Sequence, residues 1–220
     1  MKKIVVSFLS AVLIFTMGVN VFSSERMLMR EEIPVMEESD LIAEGFVSLG
    51  VLRGTGEGLE LARPITRAEA VALLMRLHPD VTGAMGLPSP EFSDLDGHWA
   101  YKEVTYAKKL GLVEGVGDGR FEPDRVVTGK EFTKMLLSMM GYDDVTIDNA
   151  YELGVKVQIL DNNFTKSVVV ENLTLLRGDT LRILWASLIG KTNDGVMFYK
   201  KLIEKGKYQE EDFSILYSID

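Results

Sequence analysis

The sequence feature that most constrains the fold is a helix–loop–helix pattern that recurs along the chain. In the clearest copy, residues 92–142, an apolar helical stretch ends at Gly111. A glycine-rich loop follows, and Thr128 then opens a second helix with its apolar residues on one stripe. A glycine just after a helix supplies the left-handed conformation with which many helices end. The pattern therefore predicts two helices joined by a loop.

The same order of elements occurs twice more. Upstream, a short amphipathic helix is closed by Gly50 and a second helix opens at Thr66; downstream, Gly154 and Leu176 hold these places. The two positions are 16 residues apart in the first copy, 17 in the clearest copy and 22 in the third. We infer three divergent repeats, the third with a short insertion. Because units of this size cannot bury their apolar faces alone, the repeats are predicted to pack on one another in an all-α domain.

The first residues differ from the rest. Two lysines precede an apolar run over residues 4–15, and small or neutral residues lead up to Ser23. This pattern is typical of a secretory signal peptide. An uncleaved membrane anchor is the alternative, but Gly18 and Asn20 interrupt the apolar run and make it poor for a span of about 20 residues. We therefore expect no membrane span after signal cleavage.

The repeats and the segments between them give a complete division of the chain. The predicted parts are a signal peptide (1–23), a flexible leader (24–38), repeat 1 (39–79), a linker (80–91), repeat 2 (92–142), a degenerate repeat 3 (143–189) and a C-terminal helix and tail (190–220).

Composition excludes several classes of function. The chain has no cysteine, which rules out disulfides, thiolate metal sites and cysteine nucleophiles. Its net charge is −9 and becomes −11 without the two lysines of the predicted signal peptide, so nucleic acid is not an expected partner. The two histidines, His78 and His98, stand apart from any set of metal ligands. We expect no metal, no cofactor and no enzymatic activity, since no sequence motif of a nucleotide-binding or hydrolase site occurs.

Two of the helix openings carry a capping box. Thr66 is placed to accept from the backbone N–H of Glu69, whose side chain reaches back to the N–H of Thr66. Thr128 and Glu131 repeat the arrangement. For these four residues, a structural role in starting a helix is the favoured interpretation.

Cations recur at the helix openings, at Arg67, Arg177 and Lys130. The first turn of a helix carries positive partial charge and favours acidic side chains, so cations there indicate a shared anionic partner. Two partners are open: an internal carboxylate or a bound ligand. Exposed backbone N–H groups at the same helix ends would add to an anion site.

Two further residues of repeat 2 have alternative interpretations. Trp99 stands at a helix start, where core packing is the commoner use, but a tryptophan is also a flat wall on which a sugar ring stacks. Asp94 and Asp96 most simply cap the helix that begins near His98.

These residues together resemble the S-layer homology family. Repeat 1 has the family's Ile-Thr-Arg-Ala-Glu at residues 65–69, and repeat 3 keeps Arg177-Gly178-Asp179, the loop around Phe164 and Gly154. Repeat 2 carries the largest set of family positions in order: Phe92, Asp94, Trp99-Ala100, Gly111, Gly115, Asp118-Gly119, Phe121, Pro123, Thr128 and Glu131.

The resemblance implies a compact pseudo-threefold domain that anchors exported proteins non-covalently to the bacterial wall. The family's usual ligand is a secondary cell-wall polysaccharide, commonly with pyruvylated N-acetylmannosamine, bound in grooves between repeats. By this resemblance Arg67 and Arg177 bind the anionic sugar, Asp94 and Trp99 belong to a groove wall, and Lys130 partly replaces a motif arginine. We expect a secreted protein of the cell wall or S-layer. The Arg67→Ala substitution is then expected to release the protein from the wall polymer.

The chain also departs from the family pattern. Gly129 stands where the second motif has arginine, and Leu176 replaces the capping threonine in the third. The alternative is therefore a degenerate scaffold that engages proteins at the envelope without binding polymer, with the C-terminal tail as a contact for a partner. The polymer-binding hypothesis fails if Arg67 and Arg177 point inward, each satisfied by a neighbouring carboxylate, with no open groove beside them.

Overall fold

The structure is a computed structural model that describes residues 38–79, 92–160, 169 and 174–217. These residues lie in one compact unit, Met36–Asp220. The predicted signal peptide (1–23), the linker (80–91), the loop around Phe164 and all but the last residue of the leader (24–38) lie outside the described residues.

The described residues form seven α-helices and two short 3₁₀ helices, which confirms the all-α prediction. No β-strand occurs among them, only isolated β-bridges. The α-helices are α1 (Glu38–Ser48), α2 (Arg67–Leu77), α3 (Tyr101–Lys109), α4 (Gly129–Met139), α5 (Ala150–Lys156), α6 (Arg177–Ile189) and α7 (Phe198–Glu204), and the 3₁₀ helices are Ser93–Leu95 and Glu210–Tyr217.

The first helices of repeats 1 and 2 end as the sequence predicts. Gly50 and Gly111 have φ angles of 70° and 74°, the left-handed conformation that is cheap only for glycine. The next residue in each repeat donates its N–H back into the helix, Val51 to the carbonyl of Phe46 and Leu112 to that of Ala107, both at 2.9 Å. This closure satisfies helix-end carbonyls that would otherwise lack partners.

In repeat 3 the helix does not end at Gly154, and that prediction is wrong. Gly154 lies inside α5, and Gln158 takes the left-handed place with φ of 65°. Gly154 is needed for packing instead, because a Cβ there would meet Leu160 Cδ1 at 2.7 Å. Measured from Gln158, the opening of α6 at Leu176 is 18 residues away, so the inferred insertion is about one residue long.

The first helix of each predicted repeat packs on the second helix of another. Helix α3 of repeat 2 lies on α2 of repeat 1, and α5 of repeat 3 lies on α4 of repeat 2. Helix α1, the first in the chain, lies on α6 of repeat 3 and so closes the series. Each repeat is therefore stabilised by burying its first helix against another repeat, as expected of units that cannot form a core alone.

The starts of α2, α4 and α6 meet in the core. The residues just before the three N-caps, Ile65, Val127 and Leu175, are all buried. The N–H of Val127 donates to the carbonyl of Ile65 at 3.0 Å, and the N–H of Ile65 donates to that of Leu175 at 3.2 Å. Two repeat junctions thus have the same backbone pairing; threefold pseudo-symmetry of the whole domain stays a prediction.

The C-terminal segment is part of the core. Helix α7 is present where the sequence predicts a further helix, and it packs on α6. Phe198, Tyr208 and Phe213 are buried. Lys207 Nζ donates to the carbonyls of Arg76 and His78 at the end of α2, at 2.6 and 2.7 Å. A lysine suits this place because the C-terminal end of a helix carries negative partial charge.

Candidate functional site

Both predicted capping boxes are present in the structure. Thr66 Oγ1 accepts from the N–H of Glu69 at 3.3 Å, and Glu69 accepts from the N–H of Thr66 at 3.1 Å. In repeat 2 the two distances between Thr128 and Glu131 are 3.2 and 2.9 Å. In repeat 3 only one of the two bonds is made: Asp179 accepts from the N–H of Leu176 at 3.0 Å. The other is missing because the leucine side chain has no acceptor.

Arg67 points inward and joins repeat 1 to repeat 2. Only 4% of the residue is exposed. Its Nη1 pairs with Glu131 at 2.7 Å, its Nε donates to the carbonyl of Phe121 at 2.9 Å, and its Nη2 donates to that of Glu114 at 3.1 Å. The guanidinium also lies 4.4 Å from the centre of the Phe121 ring, a cation–π contact. Burial lowers the pKa of Arg67, and the charge of Glu131 opposes that shift.

Arg177 makes the corresponding link from repeat 3 to repeat 1 with fewer bonds. It is 5% exposed. Its Nη2 donates to the carbonyl of Arg53 at 2.5 Å, but its Nη1 lies 3.5 Å from Glu69, and its buried Nε has no partner. An unpaired buried donor costs free energy, so this arginine is less fully satisfied than Arg67.

The backbone N–H groups at these helix ends are used inside the protein. Those of Arg67 and Ala68 donate to the loop of repeat 2, each at 2.9 Å. Those of Arg177 and Gly178 donate to the loop of repeat 1 at 2.9 and 2.8 Å. The expectation that exposed N–H groups at these helix ends would add to an anion site is therefore wrong for α2 and α6.

Two more arginines, which sequence reasoning missed, support the same carboxylates. Arg125 Nη2 lies 2.7 Å from Glu131, and Arg63 Nη2 lies 2.5 Å from Glu69. Although burial raises the pKa of Glu131 and of Glu69, the bonds from these arginines and from the capping threonines outweigh it and lower both values. The signal was an arginine six residues before the glutamate in both repeats.

The junction between repeats 2 and 3 lacks this arrangement. Gly129 is buried and takes the place of Arg67, while Leu173 takes the place of Arg63 in the sequence. Burial raises the pKa of Asp179, and its bond from Leu176 and the charge of Arg182 do not offset that. Lys130, the expected substitute for arginine, lies at the second position of α4 and is half-buried.

A pocket of about 180 Å³ opens beside Arg67, and apart from Ile147 of repeat 3 its other lining residues belong to repeat 2. Its charged groups are Arg67, Glu131, Glu114 and Lys134, the last two 3.2 Å apart. Its apolar wall is formed by Leu112, Val113, Val116, Met135 and Ile147. Arg67 and Arg177 thus point inward and lie beside carboxylates, and a pocket lies beside Arg67.

Asp94 and Trp99 lie outside that lining. Asp94 does not cap the helix near His98 as expected; it accepts from the backbone N–H groups of Phe121 and Glu122, at 2.9 and 2.7 Å, and so fixes the loop of repeat 2. The favoured prediction that Trp99 packs in the core is wrong, because 56% of the residue is exposed. Its ring lies 5.5 Å from that of His98.

We expect Asp94→Asn to destabilise the protein by about 1–2 kcal/mol at neutral pH, because a neutral amide is a weaker acceptor from two N–H groups. Partial burial raises the pKa of Asp94, but the bonds from Phe121 and Glu122 outweigh it and lower the value. The stabilisation is thus present above the unfolded pKa of about 3.9 and is lost as pH falls through the lower folded value. Urea unfolding at pH 7 and pH 2.5 measures it; an equal difference at both pH values contradicts the assignment.

Comparison with known proteins relates one segment of the chain to a known family. Residues 91–133 match the model of the S-layer homology domain. This segment of the chain is therefore similar to an S-layer homology domain.

Several cell-surface proteins resemble a larger part of the chain. The Middle cell wall protein of Brevibacillus brevis is 25% identical over 84% of this chain and 18% of its own length. The S-layer protein sap of Bacillus anthracis is 30% identical over 57% of this chain and 15% of its own. The Cellulosome-anchoring protein of Acetivibrio thermocellus is 40% identical over 31% of this chain and 16% of its own length. The domain and these relatives indicate a location in the cell wall or S-layer.

The chain spans only a small share of its relatives, at most 22% of the length of those that match. Two of the relatives bear the names of enzymes: an uncharacterized cell wall amidase of Bacillus anthracis and the Amylopullulanase of Thermoanaerobacterium thermosulfurigenes. The matched stretches cover 16% and 3% of these two proteins. None of the described helices combines the length and apolar character that crossing a bilayer requires.

Proposed function

We propose that the chain anchors itself to the bacterial wall by binding a secondary cell-wall polysaccharide, with a pyruvylated sugar as the recognised unit. The observation that carries this proposal is the pocket beside Arg67, where a cation of repeat 1 meets a wall formed mostly by repeat 2. The family supports the same function, as do relatives whose names denote cell-wall, S-layer and anchoring proteins.

The pocket suits the chemistry of a pyruvate ketal, which carries a carboxylate and a methyl group on one carbon. Lys134 offers an ammonium group to a pocket that the apolar side chains of Val116 and Ile147 also line. Arg67 has five N–H donors, of which three have partners inside the protein. A carboxylate that displaces the exposed Glu114 side chain from Lys134 would exchange one ion pair for another.

We propose a non-catalytic role. The enzymes among the relatives share only a small part of their length with this chain, so an attachment module is the simplest common element. The second candidate is a scaffold that binds envelope proteins without polymer. The inward ion pairs of Arg67 and Arg177 favour it, because both arginines already stabilise the repeat junctions. In that case the exposed acidic side chains of the tail, Glu211 and Asp212, are a natural contact for a partner.

The test is co-sedimentation of the purified protein with wall sacculi that carry or lack pyruvylated polymer. We expect the protein to pellet only with the pyruvylated sacculi. Lys134→Ala is expected to weaken binding about tenfold, the usual effect of losing one charged contact. Lys102→Ala removes the same charge from an exposed site outside the pocket lining and serves as the control.

Equal pelleting with both kinds of sacculi would contradict recognition of the pyruvyl group. No pelleting with either kind, together with a protein that co-purifies from envelope extracts, would favour the scaffold. Arg67→Ala is a poor test of binding, because the buried contacts of Arg67 hold two repeats together and their loss affects folding as well.

A further inference from the structure

A second pocket, of about 590 Å³, lies apart from the one beside Arg67. Its lining comes from the segment that follows α4, from α5 and from Asn193 in the loop between α6 and α7. Among the described residues, none lines both pockets. The volume lies in the range of small-molecule sites, about 300–1,000 Å³. The α4–α5 pocket, as we name it, has no part in the proposed function.

Carboxylates dominate the charge of the α4–α5 pocket. Asp143, Asp144 and Glu152 line it with exposed side chains, and Lys156 is the cation in the lining. Within the ranges that the structure describes, none of these three carboxylates forms an ion pair. The lining therefore has excess negative charge, and an incoming cation displaces no ion-pair partner from it.

The end of α4 adds to this negative charge. Helix α4 closes at Gly141, which has a φ of 88°, and Asp143 and Asp144 follow directly. The C-terminal end of a helix carries negative partial charge and favours cations, yet the last turn of α4 contains no basic residue. Two carboxylates thus stand beside a helix end of the same sign, and a bound cation would relieve their repulsion.

Bonds within the protein hold the polar walls of the pocket in place. Asn149 Nδ2 donates to the carbonyl of Asp144 at 2.9 Å, and Asn149 Oδ1 accepts from the N–H of Thr146 at 2.8 Å. The Asn193 amide lies directly against Gly141, where an added Cβ would come within 2.8 Å of Asn193 Oδ1. These walls are therefore in position before a ligand binds, which lowers the entropic cost of binding.

The rest of the lining suits a sugar better than a simple amine. The exposed amide of Asn193 can both donate to and accept from a hydroxyl group. Tyr142 and Leu153 are half-buried and add apolar surface, and Tyr142 is fixed by a bond of 2.9 Å from its OH to the carbonyl of Lys191. A sugar ring has hydroxyl groups at its edge and C–H groups on its faces, so it matches both kinds of surface.

We propose that the α4–α5 pocket binds a sugar that carries a free amino group, with Asp143 and Asp144 as the residues that hold its ammonium. An ammonium has three N–H donors and a charge opposite to that of these carboxylates. Asn193 binds the ring hydroxyls, and Leu153 contacts a face of the ring. The inference goes beyond the proposed function, because this ligand has the opposite charge to a pyruvylated sugar and a pocket of its own.

The test follows the backbone N–H signals of Gly141 and Asn193 by NMR while glucosamine is added to the purified protein. We expect both signals to shift and saturate. N-acetylglucosamine, which has lost the positive charge, is expected to bind at least about tenfold more weakly, the usual effect of losing one charged contact. Lysine, an amine without a sugar ring, is also expected to bind more weakly than glucosamine.

Asp144→Asn is the variant that tests the carboxylates, and it is expected to weaken glucosamine binding about tenfold. Its fold is expected to be kept, because the contact of Asp144 with Asn149 uses the backbone carbonyl, which asparagine retains. Asp148→Asn makes the same change at an exposed position of the same loop, outside the pocket lining. This control is expected to alter binding less than about twofold.

The proposal is overturned if neither signal responds to glucosamine, if N-acetylglucosamine binds as tightly, or if Asp144→Asn binds as Asp148→Asn does. Lysine that binds as tightly as glucosamine would also overturn it, since a peptide amine would then be the ligand. Sacculus pelleting is read separately. Wild type that binds glucosamine but does not pellet keeps this site and removes anchoring, and wild type that pellets without a response to glucosamine does the reverse.

Discussion

Replacing Arg67 by alanine is expected to lower the free energy of unfolding by about 3 kcal/mol. The substitution removes the donors to the carbonyls of Phe121 and Glu114 and the contact with the Phe121 ring, all at a buried junction between repeats. The loss lies at the lower end for a buried ion pair, because Arg125 still pairs with Glu131. Urea unfolding followed by circular dichroism measures it.

Arg120→Ala is the matched control, since Arg120 lies half-exposed beside Glu122 and its loss is expected to cost less than about 0.5 kcal/mol. Arg177→Ala is expected to cost about 1–2 kcal/mol, because Arg177 has one short bond and an unpaired Nε. If Arg67→Ala costs no more than the control, Arg67 does not hold the repeats together.

The positions of helices could be predicted from the sequence because their signals are local. The capping boxes at Thr66 and Thr128 and the glycines at 50 and 111 each act within a few residues, and the structure has them in place. Gly154 was misread for a related reason. A glycine needed for close packing against Leu160 looks the same in a sequence as one needed for a left-handed turn.

The partners of the site could not be predicted in the same way. Recurrent cations at helix starts left an internal carboxylate and a ligand equally open, and the partner of Arg67 stands 64 positions away, at Glu131. The exposure of Trp99 likewise depends on whether another part of the folded chain covers it, which the sequence does not show. The arrangement in which a first helix packs on a second helix of another repeat is set by tertiary packing, which spacing along the chain does not reveal.

Phe213→Ala is expected to lower the free energy of unfolding by about 3–5 kcal/mol, the usual cost of emptying a buried aromatic site. The Phe213 side chain is fully buried, with the rings of Tyr199 and Tyr208 at 5.6 and 5.4 Å. The scaffold alternative made the tail a contact for a partner, but the sequence does not show which face of an acidic-aromatic segment turns inward. Chemical unfolding of the full chain measures the loss.

The matched control is Ile189→Ala, which removes apolar atoms from a side chain that is 57% exposed and is expected to cost less than about 0.5 kcal/mol. Because Lys207 and Tyr208 cap the carbonyls of Arg76 and His78, Phe213→Ala should also loosen the end of α2. Hydrogen exchange there is expected to speed up more than in α4, which the tail does not cap. If Phe213→Ala lowers the free energy of unfolding no more than Ile189→Ala does, the tail does not stabilise the domain. Unchanged hydrogen exchange at the end of α2 would likewise show that the bonds from Lys207 and Tyr208 do not depend on Phe213.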